Sequence, residues 1–154
     1  MLRVFLFLYG VTRTLNLAPP IISKTIGKFM YLIYRLFCFF LGIDFHWQIK
    51  MGTNFKISHF VGIVVNENTT FGDNCWIRQN PTIGNNLYTN KAPSIGNNVQ
   101  IGANVCIIGD ITIGNNVVIG AGSVVVKDVP DNVIVVGNPA KIIKYIDPKN
   151  NHEL

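Results

Sequence analysis

Proton-transfer chemistry has few candidates in this chain of 154 residues, which holds three histidines and eight carboxylates. His152 lies in a polar tail and reads as solvated. His46 and His59 sit in apolar sequence, His59 within Ile57-Ser58-His59-Phe60-Val61-Gly62. As a structural residue, His59 would simply be a turn histidine exposed to water. As a functional one it would be a general base, because imidazole titrates near neutrality and can accept the proton of a hydroxyl. Such a base works better beside a carboxylate that fixes its tautomer and stabilises the imidazolium. Asp44 stands fifteen residues before His59 and Glu67 eight after it, and spacing alone leaves both open.

The elements that must position these groups are legible from a period of six. Ile95, Ile101, Ile107, Ile113, Ile119 and Val125 recur at every sixth position, and Gly96, Gly102, Gly114 and Gly120 follow four of them. Neither the 3.6 period of a helix nor the 2.0 period of an amphipathic strand produces this pattern. A constant hexad is the mark of a β-helix in which each hexad is a short strand plus a turn. Upstream, Met51, Ile57 and Ile63 keep the period, as do Val65, Phe71, Ile77 and Ile83, but the two series are offset by two residues. The register therefore slips once near Ile63–Val65. The hexad from Leu87 to Ala92 lacks glycine, so residues 86–93 are expected to leave the coil and project outward. Asn85-Asn86, Asn97-Asn98 and Asn115-Asn116 mark corners that tolerate left-handed backbone. The solenoid is expected to begin near Met51 after a crossing segment at 44–50, and the ladder to stop after Val125. A strand at 133–136, a turn at Gly137-Asn138-Pro139 and a terminal segment at 140–146 should follow.

Residues 1–43 read as two hydrophobic helices broken near Ala18-Pro19-Pro20. The run Phe29–Ile43 contains Arg35 and is shorter than the ~20 residues of a membrane span. The N-terminal apolar stretch lacks a small-residue cleavage site and meets Arg13 early, so a secretory signal is not expected. These helices could cap the solenoid, join subunits or lie in a membrane interface, with burial between subunits favoured. The domain reading is thus 1–43 helical, 44–146 solenoid with a C-terminal extension, and 147–154 polar tail. Cys38, Cys75 and Cys106 show neither disulfide nor metal spacing and read as buried thiols of a reducing compartment, the cytoplasm. The net charge of +5 fits an acidic partner. The basic residues are scattered and match no nucleic-acid motif. No metal site is expected: His46, His59 and His152 lack the spacing of a three-histidine centre.

Residues 44–146 resemble the hexapeptide-repeat O-acetyltransferases, meaning the serine acetyltransferase family and its shorter relatives of the colanic acid type in polysaccharide gene clusters. The resemblance rests on Ser58-His59-Phe60-Val61-Gly62-Ile63-Val64-Val65-Asn66-Glu67, which is similar to that family's Asp-His-Ala-Thr-Gly-Ile-Val-Ile-Gly-Glu. It rests also on Thr82-Ile83-Gly84-Asn85, on Ile101-Gly102-Ala103, on Ile119-Gly120-Ala121-Gly122-Ser123-Val124-Val125 and on Val136-Gly137-Asn138-Pro139-Ala140-Lys141. It implies a mainly β fold, a left-handed parallel β-helix with a short N-terminal α-helical segment, assembled as a homotrimer or a dimer of trimers through the helices. It implies His59 as the catalytic base, Asp44 as its partner, and Glu67 in the substrate region with Ser58 and Lys91. The implied donor is acetyl-CoA, lying against Gly84, Ala103 and Ala121. Val126, Lys127, Lys141 and Lys144 would stand near its nucleotide, and a backbone N–H such as that of Gly84 would serve as oxyanion donor. Two departures bear on the acceptor. Ser58 stands where serine acetyltransferases carry Asp, and Asn90-Lys91-Ala92-Pro93 replaces their Asp-Arg-His-Pro. Both lost groups would hold a charged amino acid, so a sugar or polysaccharide-precursor hydroxyl is the expected acceptor. L-serine is the alternative, and a non-catalytic scaffold a second.

Overall fold

The structure, a computed structural model, describes residues 1–20, 23–86 and 88–147. The histidine at 152 and the polar tail from 148 lie outside the described residues, as does Leu87. Two helices, α1 (Leu2–Asn16) and α2 (Lys28–Phe40), are joined through a π-helical turn at Ser23–Gly27. The first helix ends at Asn16, and the break spans 17–19, near the predicted Ala18-Pro19-Pro20. No helix among the described residues is long and apolar enough to cross a membrane.

Thirteen short strands then wind around a triangular prism: β1 (Asp44–Phe45), β2 (Lys50–Met51), β3 (Lys56–Ile57), β4 (Val64–Val65), β5 (Thr70–Phe71), β6 (Trp76–Ile77), β7 (Thr82–Gly84), β8 (Ser94–Ile95), β9 (Gln100–Ile101), β10 (Cys106–Ile108), β11 (Thr112–Ile113), β12 (Val118–Ile119) and β13 (Val124–Val125). They are followed by β14 (Val133–Gly137) and β15 (Ala140–Tyr145). Every third strand stacks. The first face is β1-β4-β7-β10-β13, the second β2-β5-β8-β11, and the third β3-β6-β9-β12-β14-β15. All pairings are parallel except β14 with β15.

The solenoid begins one strand earlier than the hexads predict. Asp44-Phe45 is already a rung, pairing with Val64-Val65, because Phe45 takes on the first face the inward place that Met51 and Ile57 take on the other two. The ladder also runs further than Val125. Val129 bridges to Ile113, and β14 stacks on β12. Two inward residues per hexad fill the prism, where the sequence reading found one. Beside the Ile95–Val125 row runs a second, with Val99, Val105, Ile111, Val117 and Val129 buried. Ile63 belongs to this second row with Ile43, Ile49 and Phe55, which is why its apparent period with Met51 and Ile57 fails at Val65.

The three edges differ in chemistry. Between the second and third faces, Asn54, Asn74, Asn98, Asn116 and Asn132 stack in one column, all with φ between 55° and 59°. Each of the first four donates its amide N–H to the next side-chain oxygen at 2.9–3.0 Å. A left-handed corner suits Asn, and the ladder satisfies amides that would otherwise face one another unpaired. This is the asparagine edge. The other two are called the His59 edge (third to first face) and the loop edge (first to second face).

The helices close the open end of the prism. Phe5, Tyr9, Tyr34 and Cys38 are buried against Phe45, Ile49, Phe55 and Phe60. Tyr34 donates to the Phe45 carbonyl at 2.5 Å, and the hydroxyl of Tyr9 bonds to the carbonyl of Ile49, which also accepts from Arg13 at 2.6 Å. Capping of this kind is required where a solenoid would otherwise expose its core. The opposite face of α2, with Phe29, Leu32, Leu36, Phe39 and Phe40, is exposed.

Candidate functional site

His59 sits where the regular winding is broken. Asp44 pairs with Val64 and Lys56 with Trp76, partners twenty residues apart, whereas Val64 pairs with Thr82 eighteen residues on. The two extra residues lie in the turn between β3 and β4. On the His59 edge, Gly42, Gly62, Asn80, Asn104 and Gly122 occupy the repeating left-handed corner. Backbone bonds link the column: Gly62 N–H to Gly42 O, Asn80 N–H to Val61 O, Asn104 N–H to Gln79 O, and Gly122 N–H to Ala103 O, at 2.8–3.0 Å. His59 and Phe60 are therefore a bulge above this column. Val61 N–H closes a tight turn onto His59 O at 2.9 Å, and His59 itself has φ 61°. Left-handed backbone is uncommon for a residue with a β-carbon, and such outliers gather at functional sites. Phe60 anchors the bulge by burial, its ring 5.6 Å from Phe5, and His59 is left exposed.

Below His59 the same edge presents Gln79, Ala103 and Ala121. Coils stack at about 4.8 Å, so these residues form a column roughly 14 Å long with small side chains at its lower half. A Cβ on Gly102 would meet the Ala121 backbone at 2.6 Å, and one on Gly120 would meet Val136 at 2.6 Å. The coils are thus in close contact here and leave a shallow, narrow surface. Lys141 pairs with Val136 at the far end of this edge.

The other predicted residues lie elsewhere. Gly84 is the partner of Ile108, five residues beyond Ala103 along the coil, hence about 16 Å away across the first face. Val126 and Lys127, Glu67 and Lys91 share this loop edge with Gly84. Lys144 pairs with Ile134, toward the asparagine edge and away from His59. One prism therefore does not bring Gly84 to His59, and a Gly84 N–H of the same chain cannot serve His59 as oxyanion donor.

Of the expected 86–93 departure, the described residues 86 and 88–92 lie outside the coil, whereas Pro93 is buried and has rejoined it, its carbonyl accepting from Thr70 N–H at 3.2 Å. Thr70 pairs with Ser94, twenty-four residues on, and Tyr88 is 91% exposed. The loop is pinned by Asn86, whose side-chain oxygen accepts from the N–H groups of Tyr88 and Thr89, and by an ion pair from Lys91 to Asp110 at 3.0 Å.

The two carboxylates singled out by spacing have other partners. Asp44 accepts from Arg35 of α2 at 2.9 Å, and this bond holds the Arg35 guanidinium above its ordinary pKa. Among the described residues His59 makes no side-chain hydrogen bond or ion pair. Glu67 faces His46, with Oε2 3.7 Å from Nδ1, and the His46 Nε2 lies 3.4 Å from the Tyr31 hydroxyl. Burial lowers the pKa of His46, with Glu67 opposing the shift. The thiols of Cys38 and Cys75 are buried and free, and burial pushes Cys38 up to about 11. Cys106 is only half-buried, since it lies on the outward side of β10.

Sequence reasoning missed Arg35, whose helix gives no hint of the strand it meets. It also missed Trp76 and Arg78, although the alternation Trp76-Ile77-Arg78 with Ile77 inward could have placed both on the outer third face.

Residues 92–127 match the model of the bacterial transferase hexapeptide family, described as six repeats. The chain belongs to the hexapeptide-repeat acyltransferases. It is 47% identical over 116 residues to WcaB of Escherichia coli (strain K12), named for an acetyltransferase role in colanic acid biosynthesis, covering 73% of this chain and 71% of WcaB. It is 42% identical over 113 residues to the mitochondrial serine acetyltransferase 3 of Arabidopsis thaliana, but spans 29% of that protein. Among solved structures, serine acetyltransferase of Brucella abortus strain S19 in complex with coenzyme A superposes with a TM-score of 0.81 at 30% identity, over 92% of this chain and 55% of that one.

Proposed function

We propose that this chain is an acetyl-CoA-dependent O-acetyltransferase that acetylates a hydroxyl of a sugar or polysaccharide precursor, with His59 as general base. The observation that carries the reading is the placement of His59 in a left-handed bulge at the head of the small-residue column Ala103–Ala121. That column offers a narrow surface for an extended pantetheine arm, with Lys141 at its far end for phosphate. The coenzyme A complex of the similar Brucella enzyme supports the same donor.

The residues expected to hold the donor, Lys144 apart, lie at both ends of the first face. A ring of three copies would set the His59 edge of one subunit against the loop edge of the next, adding Gly84, Val126 and Lys127 to Ala103 and Ala121. It would also bring Glu67 and Lys91 toward the acceptor. A homotrimer is therefore part of the proposal. The exposed apolar face of α2 is the surface through which two trimers, or a trimer and a membrane interface, would meet. We place the reaction in the cytoplasm, where the free thiols stay reduced.

In the reaction, His59 takes the proton of the acceptor hydroxyl as that oxygen attacks the thioester carbonyl, and returns it to the departing thiolate. Asp44 orients His59 once its carboxylate turns from Arg35. The acceptor is a sugar rather than L-serine because Ser58 and Ala92 stand where the family's serine enzymes carry Asp and His. The similarity to WcaB supports the same choice.

Thiol release from acetyl-CoA tests the proposal. His59→Ala should lower transfer to a sugar acceptor by ~10²–10⁴-fold and leave coenzyme A binding by calorimetry intact. Wild-type turnover in that variant would remove His59 from the chemistry. Rapid release with L-serine alone would replace the sugar acceptor by serine.

A further inference from the structure

We propose that Arg78, set by Trp76 and Ser58, forms an anion-recognising subsite beside His59, so that the acceptor is an acidic glycan bearing a carboxylate or a phosphate. This rests on the sugar-acceptor reading and narrows it.

Ser58 and Arg78 occupy neighbouring rungs on the outer third face at the His59 edge, joined by Ser58 N–H to Ile77 O at 2.9 Å. Ser58 directly precedes His59. The indole N–H of Trp76 donates to Ser58 Oγ at 2.7 Å, which fixes the hydroxyl and leaves its own proton to donate outward. The Arg78 guanidinium lies over the Trp76 ring, 5.1 Å from its centroid. A planar cation stacked on an indole is held in orientation while its N–H edge remains free for a bidentate partner.

That edge has no partner among the described residues. Among the described residues Arg78 makes no ion pair and no side-chain hydrogen bond, and it is exposed. Six of the described carboxylates are held elsewhere. Asp73 and Asp131 accept backbone N–H groups along the asparagine edge, and Asp128 accepts from Thr112 at the loop edge. Glu67 and Asp110 face His46 and Lys91, and Asp44 is held by Arg35. Lys56 lies beside Trp76 on the adjacent rung and adds to the positive field. Serine acetyltransferases carry Asp where Ser58 stands, a charge that would both attract an amino group and neutralise Arg78. With a hydroxyl in its place, the charge on the Ser58 side of the base is positive, and a hydroxyl-bearing ligand with an anionic group two or three bonds away fits it. Arg78 recognises such a ligand by paired N–H bonds, which suit carboxylate and phosphate oxygens alike.

The test compares kcat/KM for methyl β-D-glucuronide, glucose 1-phosphate and the neutral methyl β-D-glucoside, with acetyl-CoA as donor, in the wild type and in Arg78→Met and Arg78→Lys. An anionic acceptor should be preferred by the wild type. In Arg78→Met the ratio of anionic to neutral kcat/KM should fall about 10–100-fold, through KM, and Arg78→Lys should recover part of it. Whichever anionic acceptor leads identifies the group as carboxylate or phosphate. Equal use of neutral and anionic sugars by the wild type, or a ratio untouched by Arg78→Met, overturns the anionic subsite and leaves sugar transfer standing. Acetylation of none of the three sugars overturns the sugar reading itself, and the subsite with it.

Discussion

From Ile95 to Val125 each rung pairs with another eighteen residues away, while rungs that begin between Asp44 and Pro93 pair at twenty and twenty-four residues as well as at eighteen. The inward rows are nearly continuous through both regions, and Phe45, Ile57, Val65, Phe71, Ile77 and Ile83 stay buried like their counterparts below. The irregular region therefore keeps the core and displaces backbone only at edges. Two residues leave at the His59 edge and a six-residue insertion at the loop edge. An edge departure costs little burial, because the corners are already solvated. It can place a side chain off the lattice of the repeat, where a regular corner would point it along the column. The regular coils supply stacked hydrophobic free energy and a flat, small-residue surface, and the irregular ones supply reactive groups.

The sharpest way to break this comparison is to separate activity from stability. His59→Gly keeps the left-handed corner that glycine adopts freely while deleting the imidazole. It should lose activity as the alanine variant does, with a urea midpoint equal to or slightly above wild type. Ile107→Ala, in the regular region, should do the reverse. Ile107 is fully buried between coils, so its truncation should cost ~2–5 kcal/mol in urea unfolding, with the activity of the remaining folded enzyme unchanged. If Ile107→Ala abolished turnover at full folding, the division between scaffold and site would be lost.

A smaller effect probes how the regular edge is held. Asn98 donates to Asn116 and accepts from Asn74, with φ 56°. Asn98→Ala loses both bonds and leaves an L side chain in a left-handed corner, at about 1–2 kcal/mol. Asn98→Gly relieves the backbone and not the bonds. If the two variants unfold at the same midpoint, the side-chain ladder and not the corner conformation carries the stabilisation.

These contrasts also show what could be read from the amino acids. Ile95–Val125 announced a β-helix because one inward residue per hexad is always aliphatic. The second inward row escaped because its members are chemically mixed: Thr69, Cys75, Pro81, Val99 and Ser123 share an environment and not a side-chain type. The slip at Ile63–Val65 and the outward loop were visible as interruptions of a period. What each interruption does was not, since neither a two-residue offset nor an extra hexad says which side chains it turns outward. The partners of Asp44 and His46 were illegible for a different reason. Arg35 and Tyr31 come from α2, and no periodicity in the prism predicts where a capping helix will lie.

The smallest expected effect concerns that helix contact and depends on pH. His46 joins the irregular region to the cap, lying between Tyr31 and Glu67, and burial lowers its pKa below the ordinary histidine value of about 6.5. The unfolded chain therefore binds a proton at His46 before the folded one does. In that window stability rises with pH, because the unfolded state holds more protons. Acidification through pH 6.5 and below should then lower the unfolding midpoint, with no such contribution above it. Glu67 opposes the shift, so its removal should enlarge the effect, and Glu67→Gln should steepen the acid loss while His46→Gln flattens it. Unfolding curves for the three proteins between pH 5 and 8 separate this from general titration of carboxylates, which would persist unchanged in His46→Gln. A slope that survives that substitution would assign the acid sensitivity of the irregular coils to another group and leave the Tyr31–His46–Glu67 contact as packing alone.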